Sequence, residues 1–450
     1  MNFKFTNPTV CEIEDDAETL VYALLSLDTE RHLTLLDSDG SSKNANLLIA
    51  GFDPFLLIEK SSNDVLTVLD EKLTEFFLPT SNEFPHKFAG GCIATLSYDL
   101  GFGLERSLSH LKRQHDEPDA FFAFYDTFVV HDYLSSKSFI VSCGGDERIR
   151  QTHEVIKHSA SSSPLITSIA NTNITSNFTR KEYEQAVVRI KEHIADGDIY
   201  QANLTQQLSC KLPSDVTPQQ IFLRLRRQHP APFGAFIQRG NDTVISASPE
   251  RFLRVRDRVV QACPIKGTRQ RGKNEEEDKR LRDGLLNSEK DRAENVMIVD
   301  LLRNDIGRVC EYGSVVVDEL CALHEYLTLF HLVSKVRGRL KEDVSVGDLL
   351  RATFPCGSIT GAPKIRAMEI IAKTEPTSRG LSMGAIGYFS FNGSLDLNVA
   401  IRTMVVRDGV AKFNVGGGIV ADSEPANEYE ESLVKAKVLM NALNAKFNVA

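Results

Sequence analysis

Pro264-Ile265-Lys266-Gly267-Thr268 is the stretch on which both the fold and the chemistry of this chain turn. Upstream, Ser246-Ala247-Ser248-Pro249-Glu250-Arg251-Phe252 leads into the strand-forming residues Leu253, Val255, Val259 and Val260, broken by the charged turn Arg256-Asp257-Arg258. This pattern predicts a hairpin that brings Glu250 and Lys266 near each other on neighbouring strands. A lysine in a largely apolar strand is costly when charged and buried. Its ammonium can lose a proton there and become a nucleophilic amine. The alternative is a lysine that reaches solvent from a strand end.

Working outward, the charged stretch from about Asn274 to Arg303 reads as one helix. On it Asp291 and Glu294 are three residues apart and share a face. Glu428 and Glu431 repeat that spacing near the C-terminus, with Lys435 one turn beyond Glu431; Ser423 and Pro425 mark the start of that helix. Each acidic pair taken alone reads as a solvated face. Two pairs on two helices are also the donor type that a hard divalent cation takes. Pro355-Cys356-Gly357-Ser358-Ile359-Thr360-Gly361-Ala362-Pro363-Lys364 opens a helix over Ile365 to Lys373, a setting suited to an anion. Val415-Gly416-Gly417-Gly418-Ile419 permits close backbone approach and offers amides to a carboxylate, or else marks a bend in a strand.

On the N-terminal side, Thr179-Arg180-Lys181-Glu182 is a capping box, followed by the helical face Tyr183, Ala186, Val187, Ile190 and Ile194 and a stop at Asp196-Gly197. Asp198 to Gln206 then reads as a strand with alternate polar residues. Before it, 159–178 is rich in Ser, Thr, Asn and Ala and reads as a linker or loop between an N-terminal region, 1–158, and a C-terminal region, 179–450. The N-terminal region predicts a short helix over Ala17 to Leu27 and strands at Thr34 to Ser38, Gly90 to Asp99, Phe121 to His131 and Ser138 to Ser142; Asp64 to Phe77 mixes strand and helix signals.

Composition sets the class. The 450 residues are 42% hydrophobic and 25% charged, with a net charge of -9. This is globular composition, and the acidic balance argues against a nucleic-acid partner. The eight cysteines form no CxxC pair and no zinc spacing. No apolar run reaches the ~18 residues of a membrane span, and the N-terminus lacks a signal-peptide pattern. The expectation is a cytoplasmic protein with no membrane partner.

Ordered motifs across the C-terminal two-thirds resemble the chorismate-utilising enzymes, the family of anthranilate, aminodeoxychorismate, isochorismate and salicylate synthases. The matching segments include Gly197-Asp198-Ile199-Tyr200-Gln201-Ala202-Asn203, Ser248-Pro249-Glu250-Arg251-Phe252, Asp291-Arg292-Ala293-Glu294-Asn295, Phe330-His331-Leu332-Val333-Ser334, Gly357 to Lys364 and Gly416 to Ser423. The resemblance implies an α+β unit: a large β-sandwich with helices on the outside and the active site in a cleft between two halves.

Single positions refine what the resemblance implies. Members that add water to chorismate have lysine where this chain has Gln201. Anthranilate-forming members read Pro-Ile-Ala-Gly-Thr where this chain has Lys266. The lysine version resembles members that aminate carbon 4, giving 4-amino-4-deoxychorismate for p-aminobenzoate and folate; anthranilate formation is the alternative, and a non-catalytic binding subunit is a third reading. On that resemblance Lys266 is the covalent nucleophile and Glu250 the general acid. Glu294 and Glu431 resemble direct Mg2+ ligands, with Asp291 and Glu428 close by; the family usually has glutamate at the place of Asp291. Tyr388, Arg402, Gly416 and Gly418 resemble a pocket for the enolpyruvyl carboxylate, and Thr268, His331, Ser358 and Lys435 other substrate or metal-shell positions. The partners implied are chorismate, ammonia and a separate glutamine amidotransferase subunit forming a heterodimer. Leu35-Leu36-Asp37-Ser38 is similar to a tryptophan-binding stretch of anthranilate synthases. Aspartate replaces glutamate there, so Leu36 and Ser38 read as a structural remnant of that pocket.

Overall fold

The computed structural model describes residues 5, 7–40, 46–61, 64–78, 88, 90–113, 115–159, 169, 171–325 and 329–447. Two large sheets, one of thirteen strands and one of ten, dominate the described residues. They pack face to face. Ile49, Phe128, Val130, Ile237 and Val244 from the first sheet meet Ile93, Phe121, Ala123 and Ile386 from the second in one buried cluster. Helices cover the outer face of each sheet. Ala17–Leu25, Pro218–Gln228 and Pro425–Ala442 cover the thirteen-stranded sheet, and Val65–Glu75, Glu289–Gly307 and Val346–Thr353 the ten-stranded one. This four-layer order explains the strands that are apolar throughout. Ala120–Tyr125 and Gly91–Leu96 are buried at every residue because each has a layer on both faces.

Strands from both sides of residues 159–178 interleave in both sheets. Thr34–Asp37 pairs with Phe233–Arg239, and Gly91–Leu96 pairs with Ala385–Ser390. Residues 160–168 and 170 of this segment lie outside the described residues. Its end, Thr172–Ser176, is a strand of the thirteen-stranded sheet paired with Gln201–Lys211.

Three local expectations change. The run Phe121 to His131 is two strands, Ala120–Tyr125 and Thr127–Asp132, and they belong to different sheets, with only Asp126 between them. The stretch from Asn274 to Arg303 is two helices, Glu275–Leu286 and Glu289–Gly307. Asn274 caps the first, and the Ser288 side chain accepts from the Asp291 N–H to start the second. Asp64 to Phe77 resolves as the helix Val65–Glu75. The Thr179 capping box forms as read and begins Arg180–Ala195, which buries Tyr183, Ala186, Val187 and Ile190.

Candidate active site

Two chain crossings between the sheets build the site. The strand Asp242–Ser248 lies in the thirteen-stranded sheet and Arg251–Arg256 in the ten-stranded one; Pro249-Glu250 is the step between them. In the reverse sense, Leu395–Val399 passes through Ala400-Ile401-Arg402 into Thr403–Arg407. The crossings are stitched together. Val399 N–H donates to the Glu250 carbonyl at 3.0 Å, Ala247 N–H to the Arg402 carbonyl at 3.0 Å, and Ser248 Oγ to the Val399 carbonyl at 2.6 Å.

Glu250 is 6% exposed, and its Oε1 has no hydrogen-bond partner among the described residues. Burial raises its pKa above the usual glutamate value; the nearby Ser358 hydroxyl, the Lys266 charge and the Ile265 N–H oppose the rise. A buried carboxyl that keeps its proton is what a general acid requires.

Lys266 reaches the site from a bulge. On Ile265–Gln270, Ile265 pairs with Val333 and Thr268 with His331, so Lys266 and Gly267 together face only Leu332. Gly267 has φ 82° and packs against the helix Glu289–Gly307. A Cβ there would stand 3.0 Å from both Asp291 Cβ and Leu285 Cδ1, which explains the glycine. The hairpin Arg251–Arg256 with Val259–Ala262 forms, but the strand Ile265–Gln270 that carries Lys266 pairs with neither of its strands; Leu329–Arg339 lies between them. The lysine's surroundings also differ from an apolar strand. Its Nζ lies 3.9 Å from Glu294 Oε2, and its charge acts on Glu250 and Glu431 as well.

Arg402 adopts φ 50°, and its side chain has no hydrogen-bond or ion-pair partner among the described residues. Desolvation alone shifts it, downward. An arginine so placed is short of an anion. His331 is beside it. Burial, then the Arg402 charge, then His324 lower the His331 pKa to about 4, so the ring is neutral near pH 7. Thr268 Oγ1 and His331 Nδ1 are 2.8 Å apart. A neutral histidine and an unpaired guanidinium suit a carboxylate-bearing substrate.

The glycine run pairs with Gln201–Lys211, Gly418 opposite Asn203 and Gly416 opposite Thr205. A Cβ on Gly417 would stand 3.3 Å from Glu428 Oε2, 3.4 Å from Lys435 Nζ and 3.5 Å from Glu431 Oε1, so its absence leaves a cradle between carboxylates. Burial raises Glu428, which accepts from Ser423 Oγ at 2.6 Å. Glu431 pairs with Lys435 at 2.7 Å, Asp291 with Arg269 at 2.9 Å, and Lys435 also donates to the Gly416 carbonyl at 3.1 Å. The donor set and the Gly417 cradle fit a hard cation in kind. Among the described residues, no group of three or more His, Cys, Asp or Glu is gathered closely enough to hold one; Glu294, Asp291 and Glu431 are each paired with a different cation, Lys266, Arg269 and Lys435.

Tyr388 is not with Arg402. It packs edge-on against Phe88 and lines a separate cavity of about 70 Å³ together with Leu36, Ser38, Phe233 and Asn398. The tyrosine therefore joins the Leu36–Ser38 stretch. Successive residues of Ala385–Ser390 face opposite sides of the sheet, so the direction of Tyr388 follows from its place in that strand and not from nearness to Arg402 in sequence.

Other residues of the site show their setting only in the folded chain. Gln201 is fully buried with neither Oε1 nor Nε2 partnered, and Asn203 Nδ2 is likewise buried and unpartnered. The alternation of polar residues on this strand was the available signal. Arg379 and Glu375, a buried pair four residues apart, have only their spacing to announce them.

Comparisons with known proteins give the family. Residues 32–441 match the family model for chorismate binding enzymes. The chain is 36% identical over 439 residues to aminodeoxychorismate synthase component 1 of Bacillus subtilis, covering 92% of each. It is 34% identical over 473 residues to anthranilate synthase component 1 of Acetivibrio thermocellus, covering 97% of this chain and 95% of that one. The crystal structure of anthranilate synthase component I from Streptococcus pneumoniae superposes with TM-score 0.77 at 30% identity, covering 88% of this chain and 93% of that one. The fold is shared with MenF, the menaquinone-specific isochorismate synthase of Escherichia coli, at TM-score 0.71 and 16% identity over 98% of this chain and 96% of that one. By its two crossed sheets and by these matches, the chain belongs to the chorismate binding enzyme family.

Proposed function

We propose that this enzyme aminates chorismate at carbon 4, giving 4-amino-4-deoxychorismate for p-aminobenzoate and folate. The observation that supports it is Lys266, carried on a bulge to the same place as the raised carboxyl Glu250. Glu250 delivers its proton to the departing 4-hydroxyl while the Lys266 amine attacks carbon 2, so water leaves and a C–N bond forms. Ammonia then attacks carbon 4 and expels the lysine amine, which splits one difficult displacement into two easier ones. Arg402 holds a substrate carboxylate. Neutral His331, with Thr268, leaves that guanidinium as the positive charge there.

Glu294 and Glu431 would hold Mg2+, with Asp291 and Glu428 behind them. When bound, such an ion supplies positive charge to a ring carboxylate. Ammonia comes from a separate glutamine amidotransferase subunit; the relatives are named as component 1 of their synthases.

Because relatives named anthranilate synthase match at similar identity, anthranilate formation is the second reading. One assay separates the two: chorismate with an ammonium salt yields 4-amino-4-deoxychorismate on the first reading, anthranilate with pyruvate on the second. Glutamine in place of ammonium gives no product from the single chain; product from glutamine would remove the partner subunit from the proposal.

A further inference from the structure

Arg379 is 3% exposed and donates from all three of its guanidinium nitrogens. Nε donates to Glu375 Oε2 at 2.9 Å and Nη2 to Glu375 Oε1 at 2.7 Å. Nη1 donates to the carbonyl of Ile359 at 2.9 Å, and Nη2 also to the carbonyl of Asn203 at 2.6 Å. The guanidinium lies over the Tyr98 ring, 4.3 Å from its centroid. Glu375 in turn accepts from Thr205 N–H at 2.7 Å and Thr205 Oγ1 at 3.0 Å.

The pair therefore grips two main-chain segments. One is the short turn Gly357–Ile359, whose Ser358 hydroxyl lies beside the Glu250 carboxyl. The other is the strand Gln201–Lys211, which begins at the unpartnered Gln201 and runs beside the three glycines. A second buried arginine, Arg239, spends its donors on the side chains of Asp242, Thr95 and Glu117. A planar five-donor fork serves two carbonyls and a carboxylate at once; a lysine ammonium does not have that geometry.

We propose that Arg379, seated on Glu375, is a positioning residue that sets Ser358 against Glu250 and fixes the Gln201 strand beside it. It touches no substrate and acts through Ser358. The inference rests on the reading of Glu250 as proton donor.

The test is a double-mutant cycle on the full chain, with chorismate consumption measured at saturating ammonium. Arg379→Lys keeps the charge and the Glu375 pairing but loses the bridge. It is expected to lower kcat about 10- to 100-fold, the scale of a displaced catalytic contact, with KM for chorismate changed less than about twofold because Arg402 is untouched. Ser358→Ala is expected to lower kcat similarly, and Ser358→Ala with Arg379→Lys to be no worse than the poorer single variant. Multiplying losses, or a loss confined to KM, overturn the proposal. Wild-type kcat in Glu250→Gln overturns the reading beneath it, and the clamp with it. Should Arg379→Lys not fold, Arg379→Met with Glu375→Gln leaves no unpaired buried charge and is held to the same outcomes.

Discussion

Lys266 Nζ stands 3.9 Å from Glu294 Oε2, so the proposed nucleophile and a proposed metal ligand are each other's partner in the free enzyme. The amine that attacks has to be released from this carboxylate and be uncharged when it does so. Lys266→Ala removes the amine but leaves Arg402 and the Gly417 cradle in place. The expected result is a loss of 4-amination of at least about 100-fold, the scale of removing a group that acts only in the transition state, with chorismate binding retained. Lys266→Arg is equally inactive, since a guanidinium stays charged. A wild-type rate of 4-amino-4-deoxychorismate formation by Lys266→Ala across a range of ammonium concentrations would show the lysine to be structural.

The carboxylates around Gly417 predict a requirement for Mg2+. Chelation should abolish turnover, and Glu294→Gln or Glu431→Gln should each weaken Mg2+ binding, read directly by calorimetry as well as by rate. Losing an ordinary ligand costs on the order of 10-fold or more in affinity. Full activity in chelator, with no heat of Mg2+ binding, is the contrary result.

Arg402 predicts opposite effects on affinity and stability. It is largely desolvated and has no anionic partner among the described residues. Arg402→Met should raise KM for chorismate by about 10-fold or more, the value of a charge-assisted pair. It should also raise the melting temperature of the ligand-free enzyme, because an uncompensated buried charge is removed. A lowered melting temperature with unchanged KM would show that the guanidinium holds the fold and not the substrate.

His331 predicts a pH dependence of stability. Its folded pKa, about 4, is below the ordinary 6.5, so the unfolded chain binds the proton more readily. The neutral ring's contribution is therefore complete above pH 6.5 and is lost as pH falls toward 4. The difference is about 3 kcal/mol. Replacing the ring by a neutral amide, His331→Asn, should flatten the urea-midpoint profile between pH 6.5 and 4 relative to wild type. Parallel profiles would mean that the histidine is not buried neutral.

Much of the local structure was legible before any coordinates. The Thr179 capping box, the helix Ala17–Leu25 and the pairing of strands with small turns follow from short-range rules, because caps and hydrophobic periods act over a few residues. So does the β character of Phe121 to His131. That the run changes sheets at Asp126 was not legible, since the polar pair Asp126-Thr127 is too short an interruption to mark a change of sheet and both halves are buried at every residue.

The site divides the same way. Residue pattern and spacing singled out Glu250, Lys266 and the two acidic pairs, and the family resemblance added Arg402. Tertiary structure alone decided that Glu250 and Arg402 sit on adjacent crossings, that Lys266 faces Glu294, and that Tyr388 belongs to the cavity beside Leu36 and Ser38. It also revealed Arg379, whose role depends on two carbonyls far away in the chain. A sequence specifies which side chains are present and the local conformations they favour. Burial, which raises Glu250 and lowers His331, exists only once distant strands are packed, because desolvation is a property of the surroundings and not of the residue.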